Sequence, residues 1–230
     1  DSFYRLVGIV KPYDSSTHPT QVFEYRPGDI FRHVYYNYDA AGNLSLQPTA
    51  NAEVVSAVRT KAREQSNTGN TFDVAAYTDG AGHKLGIAEE GENTGQFVYK
   101  DVKRYTSLGH ERFAYLPFFA SQGEFQSPPV NVAHMDMFYD EIGRSFRLVN
   151  PHETTNFLVR SFAETIYLPL ESEQFDEEDT NPASKHFGTP HVQHRDGLGR
   201  LTGVDEVVKL SDVGEDQANS VSWPTRYRYD

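Results

Sequence analysis

The stretch FYDEIGRSFRLVN (138–150) sets Asp140 and Glu141 beside Arg144 and Arg147, a grouping that could form a small reactive cluster. Three other groupings invite a chemical reading. His186, His191, His194 and Asp196 are residue types that ligate metals. The run from Glu171 to Asp179 holds six carboxylates, the hard oxygen donors that calcium takes. Acids this common also leave room for a glycosidase-like pair, which needs two carboxylates at a set separation.

Spacing argues against the histidine and acidic-run readings, while sequence does not give the separation of a carboxylate pair. In HVQH a strand sends His191 and His194 to opposite faces, and the interval matches no helical HExxH site. The acidic run lacks the ordered D-x-[DN]-x-[DN]-G loop, so a solvated loop or interstrand charge pairing is expected there. There is no cysteine, which removes thiolate catalysis, disulfides and cysteine-based zinc sites together. No Ser-His-Asp context, Walker glycine loop or dinucleotide fingerprint is present. No catalytic residue, cofactor or metal site is assigned, and the chain is not expected to be an enzyme.

The tyrosine–aspartate cluster also recurs. YDAAGN (38–43), TDGAGH (78–83), YTSLGH (105–110), YDEIGR (139–144) and RDGLGR (195–200) share one local pattern. The glycines fall at 42, 82, 109, 143 and 199, an irregular period around a constant unit. Asp39, Asp79, Asp140 and Asp196 are placed to accept bonds from backbone N–H groups two residues on. Gly42, Gly82, Gly109, Gly143 and Gly199 suit the left-handed position of a type I turn with a G1 bulge. Thr106 replaces the acid in one copy, as a turn cap tolerates and a catalytic acid would not. The tyrosine before the acid ends a strand, packing its ring while its hydroxyl stays wet.

The elements that hold these turns read as short strands. VFEY (22–25), FRHVYYNYD (31–39), FVYKDVKRY (97–105), RFAYLPFF (112–119) and TNFLVRSFAETIYLPLE (155–171) are rich in β-branched and aromatic residues. In the last, Phe157, Val159 and Phe162 cannot share a face, which predicts a bulge or bend near 160–163. NAEVVSAVRTKAREQ (51–65) carries both helical and strand spacing, with its valines tipping it to strand. SNTGNT (66–71), AEEGENTG (88–95), SQGEFQSPP (121–129) and SEQFDEEDTNPAS (172–184) read as loops. A soft division at the Gly/Ser/Pro-rich stretch gives two repeat segments, 1–125 and 126–230.

Composition bounds the rest. The 230 residues include 14 tyrosines and carry a formal charge of −12, which repels phosphate backbones, so nucleic-acid binding is not expected. KDVKR (100–104) is the best basic patch, and an aspartate interrupts it. No apolar run approaches the roughly 20 residues of a spanning helix. Tyrosine-rich strands could form a carbohydrate platform, but packing inside a β wall uses the same residues. Asn43-Leu44-Ser45 is a formal glycosylation acceptor. RYRYD stops where a further unit would begin, so the chain is expected to end inside a repeat and to require neighbouring units, since a lone hairpin buries no core.

These units resemble YD repeats, also called RHS repeats, found in shell-forming proteins of bacterial toxins and in extracellular teneurins. The succession TDGAGHKLGIAEEGE (78–92), YTSLGHERFAYLPFFASQGEF (105–125), MFYDEIGRSFRLVNPHE (137–153), ESEQFDEEDTNP (171–182) and HFGTPHVQHRDGLGR (186–200) is similar to the C-terminal half of the B component of insecticidal toxin complexes. Phe118-Phe119-Ala120 and Phe175 to Thr180 depart from that pattern. The resemblance implies an all-β fold of antiparallel hairpin repeats, a curved ribbon that is one piece of a hollow shell around a toxic polypeptide. It implies a secreted protein whose partners are the remaining segments of its parent, a C-component RHS protein and a translocation channel. The self-cleaving aspartates of that family belong to the C component and have no counterpart here. A secreted β-repeat binder of ligands or carbohydrate, without toxin cargo, is the alternative. A binder would fold alone and show a concave aromatic patch.

Overall fold

The computed structural model describes residues 2–32, 35–47, 52–66, 69–152, 156–209 and 220–229. Within them the chain is all-β and antiparallel, with one short 3-10 turn and no α-helix. It divides into two compact units, Asp1–His134 with Pro151–Leu158, and Met135–Asn150 with Val159–Asp230.

The first unit contains β1 (Gly8–Ile9), β2 (Gln21–Arg32), β3 (Tyr35–Tyr38), β4 (Leu44–Gln47), β5 (Ala52–Arg63), β6 (Thr71–Asp79), β7 (Lys84–Glu90), β8 (Phe97–Lys100), β9 (Lys103–Tyr105), β10 (Glu111–Tyr115) and β11 (Phe118–Ala120). Its main sheet runs β1-β2-β5-β6-β7-β8-β11, so strand order follows chain order. The hairpins β3–β4 and β9–β10 are excursions from it. The ambiguous segment 51–65 is the long strand β5. Val55 and Ala57 alternate inward while Val54 and Val58 are exposed, the period-two pattern that a helix would not give.

The core of this unit is built on small residues. Ala75 and Ala88 face each other across β6 and β7, with Ala57 beside them on β5. These leave room for the rings of Tyr77, Tyr99, Phe118 and Phe125. Tyr99 and Phe118 stack at 5.1 Å, and Tyr77 meets Phe125 at 5.3 Å. The segment 121–126 lies over this face because the hydroxyls of Tyr77 and Tyr99 donate to the carbonyls of Gly123 and Glu124.

The second unit is made of β12 (His134–Tyr139), whose first residue falls in the first unit, then β13 (Ser145–Val149), β14 (Phe162–Leu168), β15 (Glu171–Phe175), β16 (His191–Arg195), β17 (Leu201–Lys209) and β18 (Ser220–Arg226). Each pairs with the next in strict sequence. β18 carries Pro224, which has no ladder donor and is at home on an outer strand.

Several expected boundaries move, each for a physical reason. The stretch 97–105 is two strands, because Asp101 takes a left-handed φ of 53° and Val102 turns into the core. The stretch 112–119 breaks at Leu116-Pro117, where proline cannot donate. In 155–171 the expected bend falls at 160, but the residues before it form a 3-10 turn at Phe157–Val159 and not a strand, and β14 begins only at Phe162. Leu170, at φ 64°, forms the turn after β14, so Glu171 belongs to the following strand. The region 172–184 is not all loop, since 172–175 belong to β15, paired on both sides by backbone bonds that need no β-branched residue. Likewise 88–90 belong to β7.

Arg160 explains the break before β14. Its guanidinium is 1% exposed and pairs at 2.6 Å with Asp136, itself fully buried. The same side chain donates to the carbonyls of Asn150 at 2.7 Å and Val149 at 3.2 Å. A buried charge needs such partners, and a regular strand through 157–161 would not deliver them together.

Candidate functional site

The five repeated units occupy the turns β3–β4, β6–β7, β9–β10, β12–β13 and β16–β17. In each, the glycine N–H donates to the carbonyl of the first turn residue at 2.9–3.1 Å. Gly42, Gly82, Gly109, Gly143 and Gly199 all have φ between 78° and 88°, a region where a Cβ is strained. The Oδ1 of Asp39, Asp79, Asp140 and Asp196 accepts two backbone N–H bonds, from the residues two and four positions on, at 2.8–3.1 Å. At the β9–β10 turn Thr106 Oγ1 accepts from His110 N at 3.2 Å. Ladder register shifts flank four of these turns, as a bulge requires.

A second tier covers three of the corners. The other carboxylate oxygen is bonded at 2.7 Å by the residue after the glycine: Arg144 for Asp140, Arg200 for Asp196, His83 for Asp79. Each of those side chains lies against a tyrosine from later in the chain. Arg144 sits 4.1 Å from the Tyr167 ring centre, Arg200 4.8 Å from Tyr229, and His83 stacks on Tyr105 at 4.7 Å. The three hydroxyls donate to equivalent carbonyls, Ser145, Leu201 and Lys84, at 2.7–3.0 Å. Carboxylate, guanidinium or imidazole, ring and carbonyl thus form a closed clamp.

This extends the role of the tyrosine. Tyr105, which immediately precedes a repeat's first turn position, also seals the corner of the preceding unit through its hydroxyl, and Tyr229 does the same for the corner at 195–200. The clamp was missed in sequence because the tyrosine follows its aspartate at variable distance, 26, 27 or 33 residues on. The β3–β4 corner is closed differently. Asn156 donates to Ala41 O and Asn43 Oδ1, and Leu158 covers Gly42. Asn43, the glycosylation acceptor, therefore has its amide engaged.

Charge at the corners follows from these bonds. The backbone N–H of Asn43 holds Asp39 below the usual carboxylate range, and the Arg200 guanidinium does the same for Asp196. For Asp140 and Asp79, desolvation pushes upward but is outweighed by Arg144 and His83 respectively, with the backbone donors. All four acids are anions whose oxygens are spent on their own turns.

The other candidate clusters are also tied up locally. His191 meets Glu206 at 2.7 Å on one face of β16, while His194 lies between Glu171 at 3.0 Å and Asp205 at 3.2 Å on the other. Arg226 also pairs with Asp205 and depresses its carboxyl to about 2. In the acidic run, Asp176 and Asp179 cap one another's backbone, Asp179 accepts from Thr189, Glu178 from Ser184 and Glu177 from Asn150. Among the described residues no three His, Asp or Glu side chains are arranged to hold a metal ion.

No protein-family model and no curated protein sequence matches the chain. Solved structures do. A crystal structure of TcdB2-TccC3 superposes on 93% of the chain with a TM-score of 0.65 at 17% identity. The chain has a Tc-toxin, RHS-like fold. TcdB2-TccC3 without its hypervariable C-terminal region covers 77% of the chain at TM-score 0.62 and 18% identity. The Tc holotoxin pore of Photorhabdus luminescens covers the same share at 0.62 and 17%. The matched stretch is only 9–10% of those chains, so this chain spans about a tenth of their length.

Proposed function

We propose that the chain is a wall segment of an RHS-repeat shell, corresponding to the C-terminal half of a toxin-complex B component, and that the parent protein encapsulates a toxic polypeptide in a secreted toxin complex. The observation that carries this reading is the superposition of 93% of the chain on TcdB2-TccC3. It is supported by the strand order, which follows chain order both in the main sheet of the first unit and through β12 to β18 in the second, the arrangement by which repeat arrays extend. In this reading Asp39, Gly42, Asp79, Gly82, Gly109, Asp140, Gly143, Asp196 and Gly199 are structural corners and no residue is catalytic. The partners are the other segments of the parent, a C-component RHS protein and a channel component, with no nucleic acid and no membrane span.

The test is low-resolution electron microscopy of the purified parent polypeptide, alongside its mass. A hollow particle is the expected outcome. A solid particle overturns the shell.

A further inference from the structure

The first unit holds a cavity of about 300 Å³ between its main sheet and the segment 121–126. Its floor is apolar, made by Val55, Ala57, Ala75 and Tyr77, and Phe125 of the covering segment adds an apolar wall. Two arginines stand at its edge. Arg26 on β2 and Arg59 on β5 are diagonal neighbours on one sheet face, because Arg26 pairs with Ala57 two residues away. Arg59 is mostly buried and reaches Gly123 O at 3.3 Å. The acid facing both is Glu124, whose Oε1 lies 3.7 Å from Arg26 and 3.6 Å from Arg59. These separations exceed a direct N–H···O bond, and the Glu124 side chain remains more than half exposed. An anion already points at the two guanidiniums from the outside, without reaching the bonding geometry that bidentate recognition gives.

We propose that this cavity is a binding site for a small carboxylate with a flat apolar body, an aryl or short-alkyl acid. The ring or chain occupies the floor beside Tyr77 and Phe125, and the carboxylate takes the place of Glu124 between Arg26 and Arg59. The volume is at the lower end of small-molecule sites, and the plan is the usual one of apolar lining with few convergent polar groups. Gly123 is the tight point of the frame. A Cβ there would stand 2.6 Å from Phe97 and 3.0 Å from Arg59, so the segment is seated close against the sheet. The site is independent of the shell reading, since it uses neither the repeated corners nor any neighbouring chain.

The experiment is titration of the ¹⁵N-labelled chain with phenylacetate, following the amides of Ala57, Ala75 and Gly123. Saturable shifts confined to this cluster are expected, with phenylacetamide binding on the order of tenfold more weakly because it cannot replace the charge. Glu124→Gln removes the competing anion and tightens binding several-fold. Arg59→Met weakens it, and Arg26→Met, at a half-exposed position whose only link to the 121–126 segment among the described contacts is the long pair with Glu124, weakens it with the spectrum outside this cluster unchanged. The proposal is overturned if neither the wild type nor Glu124→Gln shows saturable shifts up to about 10 mM phenylacetate. It is also overturned if the amide binds as tightly as the acid.

Discussion

The guanidinium of Arg144 lies 4.1 Å from the ring centre of Tyr167, while the Tyr167 hydroxyl donates to the carbonyl of Ser145, the residue next to that arginine. One tyrosine thereby grips both the side chain and the backbone of the corner that opens the neighbouring strand. Tyr167→Phe keeps the stack and loses the bond, which at this partly exposed site should cost about 0.5–1 kcal/mol in urea unfolding. Arg144→Lys keeps the charge and loses the flat stacking surface, and should also destabilise. If Tyr167→Phe is as stable as the parent, the hydroxyl contributes nothing to the clamp.

The turn beneath that clamp should discriminate sharply among its own residues. Gly143→Ala forces a Cβ into a backbone at φ 85° and should cost about 1–2 kcal/mol. Asp140→Asn retains an acceptor for the backbone donors and should be milder than Asp140→Ala. Glu141→Ala should leave the chemical denaturation midpoint unchanged. A midpoint lowered as far by Glu141→Ala as by Asp140→Ala would contradict this account.

The pair Arg160–Asp136 should be far more sensitive than the exposed pairs. Removing one partner strands a fully buried charge, so Arg160→Met or Asp136→Leu should cost about 3–5 kcal/mol. The double variant should recover much of that loss, because no uncompensated charge remains. A double-mutant cycle by calorimetry measures the coupling, and strictly additive losses would argue against it.

Alkaline pH should loosen the first unit. Burial raises the Tyr77 phenol from 10 to about 12, and burial raises Tyr99 in the same direction. Below pH 10 both folded and unfolded states keep the proton and stability is full. Between about 10 and 12 the unfolded chain ionises first, so stability falls by roughly 2–3 kcal/mol for Tyr77. Urea midpoints measured from pH 9 to 12 should therefore decline, and more shallowly in Tyr77→Phe.

The all-β class was readable because strand alternation and turn chemistry are local. Asp140, Gly143 and Arg144 are nameable as a corner because each bond of that turn spans no more than four residues. Strand ends were harder. Asp101 breaks 97–105 by adopting a left-handed backbone that aspartate allows but does not announce. The polar strand β15 has little intrinsic strand preference and exists because β14 and β16 flank it. The tyrosine clamps and the Arg160–Asp136 pair join residues 21 to 29 apart without fixed spacing, so they become visible only once the strands are laid side by side.

Strand order that follows chain order has a mechanical side. In the second unit the ladder from β12 to β18 contains no strand threaded between two others out of turn. Tension applied beyond β18 loads its hydrogen bonds with β17 a few at a time, since antiparallel bonds lie across the strand. Once β18 is free, β17 stands in the same exposed position, and the step repeats. Such a sheet comes apart as a zip does, its resistance set by the strongest single seam encountered and not by the sum of all of them.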